Sequence, residues 1–123
     1  MKHTLVSGGA REEFWSGERC YITELMNDAA IPGVSLASCR VAPGTTTELH
    51  RLSVDEWHVV QAGHGVAEIG SAEPFEIGPG DSVAVPAQTP QRVSNSGDTD
   101  LVFHCVCIPR FTPACYEPLE KDR

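Results

Sequence analysis

The feature that most limits the fold is punctuation: after a polar start the chain breaks into short apolar runs, separated by Gly, Pro, Asp or Asn. The runs RCYITEL (19–25), VSLASCRV (34–41), TTELHRL (46–52), EWHVVQA (56–62) and GVAEIG (65–70) read as candidate strands. So do PFEI (74–77), SVAVP (82–86), PQRVSN (90–95) and LVFHCVCI (101–108). Between them lie PGT, GHG, GPGD and NSGDTD, which supply the positive or fixed φ that tight turns need. Strands recurring about every 8–12 residues with turn signals between them predict an all-β sandwich or barrel. Helical periodicity is arguable only at Arg11–Trp15 and after Pro113. No repeat, low-complexity tract or internal linker interrupts the 123 residues, a length that suits one domain with one hydrophobic core.

Charge narrows the partners. Nine Lys and Arg against 17 Asp and Glu give a net charge of −8, and the basic residues form no cluster. Such a surface repels phosphate, so neither nucleic acid nor an anionic membrane is an expected partner. No apolar run approaches the roughly 20 residues of a membrane span. MKHTLVSGGAREE has no apolar core of the kind a secretory signal carries, and the five cysteines are an odd number. Reduced thiols and a cytoplasmic location are therefore expected. Cys105 and Cys107 would share one face of a strand, and they read as small packed side chains.

Two spaced patterns add chemistry. Gly44-x5-His50 is followed by Glu56-x6-Gly63, and later by Gly80-x5-Pro86 and Asn95. VAPGTTTELHRLSVDEWHVVQAGHG and IGPGDSVAVPAQTPQRVSN together resemble the paired signature of the cupin superfamily, G-x5-H-x-H-x3,4-E-x6-G and G-x5-P-x-G-x2-H-x3-N. The closing DLVFHCVCIPRF resembles small, single-domain members. The resemblance implies an all-β, antiparallel jelly-roll barrel, commonly a homodimer. With it come expected boundaries: an arm over 1–18, the barrel over 19–110, and a tail over 111–123 lying on or near the barrel.

The chain departs from the signature at three positions. Leu52 and Gln91 stand where it has metal-binding histidines, and Gln88 stands where it has glycine. His50 and Glu56 keep their places. Side chains alternate along a strand, so Glu56 pointing inward carries His58 and Val60 inward with it and turns Trp57, Val59 and Gln61 outward. His50 and Leu52 share the preceding wall, and Gln91, Val93 and Asn95 share a third. The expected metal set is thus His50, Glu56, His58 and Gln91, enough for a divalent transition metal such as Fe, Mn, Ni or Zn. The place of His58 in that set comes from strand parity, because the family pattern puts no ligand there. Should the missing histidines mean a lost metal site, the same side chains would hydrogen-bond one another or a polar ligand instead.

Glu56 and His58 are the candidate catalytic pair, and Gln91, Leu52, Val60 and His104 are candidate contacts to a small-molecule substrate. The face of His104 depends on a register that the sequence leaves open. His64, between glycines, is expected on a solvated turn, and Arg51 and Arg92, turned away from the inner wall, read as surface charges or dimer contacts. Trp15 and Trp57 read as core or subunit-interface aromatics. Three functions fit: a metal-dependent oxygenase, isomerase or lyase acting on a small oxygenated molecule; a metal-free epimerase or cyclase using a His–Glu pair; or a barrel that binds a small ligand without turnover.

Overall fold

Turn residues cut the chain into strands too short to bury an apolar face alone, so two sheets close on each other. The computed structural model describes residues 1–7 and 11–120. One sheet orders its strands β1 (Phe14–Trp15), β2 (Tyr21–Met26), β3 (Ser35–Val41), β10 (Leu101–Ile108), β5 (Asp55–Ala62) and β8 (Ser82–Val85). The other runs β11 (Tyr116–Pro118), β4 (His50–Leu52), β9 (Gln91–Ser94), β6 (Gly65–Ile69) and β7 (Phe75–Ile77). Every pairing is antiparallel. This is the all-β, two-sheet architecture that the strand spacing predicts and the antiparallel jelly roll that the resemblance implies.

Alternation decides what enters the core. On β5, Glu56, His58 and Val60 are buried, while Trp57 is exposed and Val59 half-buried. Val41, Val60, Val85, Phe103 and Leu101 from the first sheet meet Ala67, Ile77 and Val93 from the second. Each fully buried aliphatic of this kind contributes about 1.5–3 kcal/mol. A second cluster of Leu52, Val54, Cys107 and Cys115 fills the end of the barrel nearer the C-terminal residues.

Several expectations need correction. The helical reading of Arg11–Trp15 fails, because Phe14 and Trp15 pair with Ile22 and Tyr21 as an edge strand. The tail after Pro113 makes only one 3-10 turn, Pro113–Cys115, before Tyr116–Pro118 pairs with β4. Both sheets therefore extend past the 19–110 boundaries; residues 8–10 of the arm and 121–123 of the tail lie outside the described residues. The candidate strand 46–52 shortens to His50–Leu52, because its earlier amides bond elsewhere: Glu48 N to Glu18 O (3.0 Å) and Leu49 N to a Glu120 carboxylate oxygen (2.7 Å). Trp15 and Trp57 are 55% and 44% exposed, which removes them from the core.

Gln88 explains what the signature's glycine does. Its φ is +68°, the left-handed region, and its amide donates to Leu52 O at 2.6 Å. An L side chain there costs about 1–2 kcal/mol, partly offset by the greater entropy that glycine loses on folding. Gln88→Gly is expected to stabilise the fold by about 0.5–1 kcal/mol. In a urea melt the midpoint should rise with the slope unchanged; a fall would show that the Gln88 side chain contributes more than its backbone costs.

Candidate functional site

Register and alternation bring a cluster of polar side chains together inside the barrel. Within the first sheet, β5 sets Glu56 opposite Cys107 and His58 opposite Cys105 on β10, all on the inner face. From the second sheet, β4 and β9 set His50 opposite Gln91. These side chains line one cavity of about 190 Å³, with Leu52, Val93, Phe103 and Tyr116 among its walls.

Glu56 is the hub. Its Oε1 accepts from the Gln91 amide at 2.8 Å and lies 3.1 Å from His58 Nε2, while Oε2 accepts a weak bond from the Cys107 thiol at 3.8 Å. Glu56, His58 and Gln91 are 7%, 4% and 2% exposed, so neither sheet leaves this carboxylate to water. Burial opposes its ionisation, but His58, Gln91 and His50 together outweigh that and hold its pKa below the usual carboxylate value. Because a carboxylate only accepts, His58 Nε2 must carry the shared proton in this arrangement. The His58 ring rests on Phe103, with centroids 4.8 Å apart.

His50 is held differently. Its Nδ1 lies 2.7 Å from the Glu48 carbonyl, which can only accept, so Nδ1 is protonated. Burial lowers the His50 pKa, against the raising effects of that bond and of Glu56, so the ring is held toward its neutral form. The tautomer then leaves the lone pair on Nε2, the arrangement that second-shell carbonyls impose on metal-binding histidines. Tyr116 stacks on the ring at 4.7 Å and 18°, and its hydroxyl donates to a Glu48 carboxylate oxygen at 2.5 Å. Burial, reinforced by that bond, pushes the phenol far above its ordinary pKa.

Of the residues singled out in the sequence, His50, Leu52, Glu56, His58 and Gln91 line the cavity. Gln91 commits its NH2 group to Glu56 and so orients the carboxylate. Val60 is a buried member of the apolar core and does not line the cavity. His104 is excluded from it too: alternation sends Phe103, Cys105 and Cys107 inward, leaving half-buried His104 on the outer face. Arg51 and Arg92 form surface ion pairs with Glu117 and Glu68. His64 is exposed.

From sequence, Cys105 reads as a small packed side chain and is not placed at the site. Its thiol lies with a His58 ring nitrogen and a Glu56 carboxylate oxygen in a group whose donor atoms are all within 4.8 Å of one another. Burial and the Glu56 charge raise its pKa well above the ordinary value, so without a cation it is a thiol. Strand parity pairs Cys105 with Cys107, but only the register with β5 reveals the neighbours. Among the described residues, no helix is long and apolar enough to cross a membrane.

Comparison with known proteins agrees with this architecture. Residues 37–107 match the family model of the cupin domain. An uncharacterized protein of Methanocaldococcus jannaschii is 31% identical over 102 residues, spanning 80% of this chain and 81% of that protein. Oxalate decarboxylase of Bacillus subtilis superposes with a TM-score of 0.79 at 18% identity, over 95% of this chain but only 33% of its own. An uncharacterized Klebsiella pneumoniae protein with a double-stranded β-helix domain aligns over 98% of this chain and 100% of its own, with a TM-score of 0.75 and 16% identity.

Proposed function

Since the chain belongs to the cupin family, we propose that it is a small metal-dependent enzyme, of the oxygenase, isomerase or lyase class, acting on a small oxygenated organic molecule. One observation carries the reading: a neutral His50 with Nε2 left as its lone-pair nitrogen lines the same cavity as the buried Glu56–His58 pair. Two imidazoles and one carboxylate are a sufficient set for a divalent transition ion with positions left for substrate; His50 stands outside the group of donors within 4.8 Å of one another, so its ring would have to swing toward the ion. The ion would supply Lewis acidity toward a carbonyl or hydroxyl oxygen of the substrate. Gln91 orients the Glu56 carboxylate, and Leu52, Val93 and Phe103 contribute apolar wall beside it. A comparable 150 Å³ cavity admits benzene, so 190 Å³ suits a molecule of on the order of ten heavy atoms. The wall includes Glu18, Glu24 and Glu56. That supports a neutral or singly charged substrate, while the likeness to oxalate decarboxylases supports lyase chemistry.

A second reading is favoured by the His58 Nε2–Glu56 Oε1 contact at 3.1 Å, a buried imidazole–carboxylate pair facing the cavity. Such a pair can exchange a proton with a bound substrate as a metal-free acid–base couple. Calorimetric titration of chelator-treated protein with Zn(II) and Mn(II) separates the two. One site is expected in the wild type, with affinity lowered at least about 100-fold in His50→Ala. A folded wild-type protein that takes up neither ion would overturn the metal reading and leave the acid–base couple or a barrel that binds a small ligand without turnover.

A further inference from the structure

Cys105 is the side chain at this centre that the proposed function leaves unused. The β5–β10 register places it directly opposite His58, facing inward, and it lines the cavity. A thiol kept only for its volume belongs among aliphatic groups. This one instead has its sulfur within 4.8 Å of donor atoms from the two ionisable side chains buried at the middle of β5. Meanwhile Gln91 spends its amide on Glu56, and Leu52 offers no donor at all.

Charge favours adding the sulfur. A divalent ion held by one carboxylate and neutral imidazoles would keep a net positive charge within its own ligand set, and burying net charge is costly. A carboxylate and a thiolate together balance it, since a coordinating thiol is deprotonated outright. Sulfur also changes selectivity, because thiolate and imidazole suit Zn(II) while all-oxygen sets suit Mg(II) and Mn(II).

We propose that Cys105 is a thiolate ligand of the same ion, joining Glu56 and His58 in a mixed sulfur, oxygen and nitrogen site that takes Zn(II) or Co(II) in preference to Mn(II). The proposal rests on the metal reading above. On binding, the Cys105 S–H bond breaks and its proton passes to solvent as the metal–sulfur bond forms. On His58 the ring proton would move from Nε2 to Nδ1 as Nε2 turns from Glu56 to the ion.

Cobalt reports the sulfur directly. Chelator-treated protein loaded with Co(II) is expected to show d–d bands together with a near-ultraviolet sulfur-to-cobalt charge-transfer band. Cys105→Ser should lose the charge-transfer band and bind Zn(II) at least about 100-fold more weakly, whereas Cys107→Ser should keep the band. Wild-type d–d bands without charge transfer, or a band that survives in Cys105→Ser, would overturn the thiolate and leave the metal reading standing. No cobalt uptake at all would remove both. X-ray absorption at the zinc edge of the wild type needs no variant: a sulfur shell near 2.3 Å is expected, and a shell of nitrogen and oxygen alone at about 2.0–2.1 Å would refute it.

Discussion

Glu56→Ala is expected to lower the stability of the metal-free protein by about 3 kcal/mol, a fall of roughly 10 °C or more in Tm for a domain of this size. The carboxylate is the acceptor shared by the Gln91 amide and His58 Nε2, and both partners are buried. Removing it leaves two buried donors unsatisfied, each costing about 1–3 kcal/mol, with some relief from water entering the adjoining cavity. Glu56→Gln separates the bond from the charge. Its amide oxygen accepts in the same place, so stability should change by less than about 1 kcal/mol. Divalent-ion affinity should still fall at least about 100-fold, because the anionic donor is gone. Thermal melts of both variants beside metal titrations check this. Equal destabilisation by Ala and Gln would show that the charge of Glu56, and not its acceptor role, holds the centre together.

Gly63→Ala should destabilise the fold by more than about 3 kcal/mol, although it lies outside the cavity wall. Its φ is +82°, and a Cβ there would sit 2.4 Å from Asp100 O and 2.9 Å from Leu101 Cα. Both obstacles are backbone, so no rotamer change relieves them. The start of β10 would have to move away from the end of β5, where the register already shifts between Val102 and Phe103. That displacement would loosen Leu101, which is fully buried in the core. Chemical denaturation gives the number directly; a loss below about 1 kcal/mol would mean that the 100–101 segment yields easily.

Gly63 and Gln88 show what a spaced signature encodes. Gly63 is a place where two backbones meet too closely for any side chain, and position 88 is one where φ is positive. The parity of β5 was legible for a simple reason: period-2 alternation ties Glu56, His58 and Val60 to one face once any of them is placed. Register was not legible. Parity alone does not say that Cys105 faces His58, that Val60 falls beyond the cavity, or that His104 turns outward. Those follow from long-range pairing of β5 with β10, nearly 50 positions apart. The stacking of Tyr116 on His50 depends on a C-terminal strand whose local pattern reads as easily for a helix as for β structure. At Arg11–Trp15 the helical pattern was too short to outweigh pairing with Tyr21 and Ile22.

The central claim is that the Glu56–His58 pair and His50 hold a divalent ion inside the barrel. Metal content of untagged protein, purified without imidazole or chelator and measured by inductively coupled plasma mass spectrometry, tests it most directly. The account expects close to one equivalent of a transition metal per chain, lost in both His50→Ala and His58→Ala. No metal in the wild type, and none retained after incubation with Zn(II), Fe(II), Mn(II) or Ni(II), would contradict it.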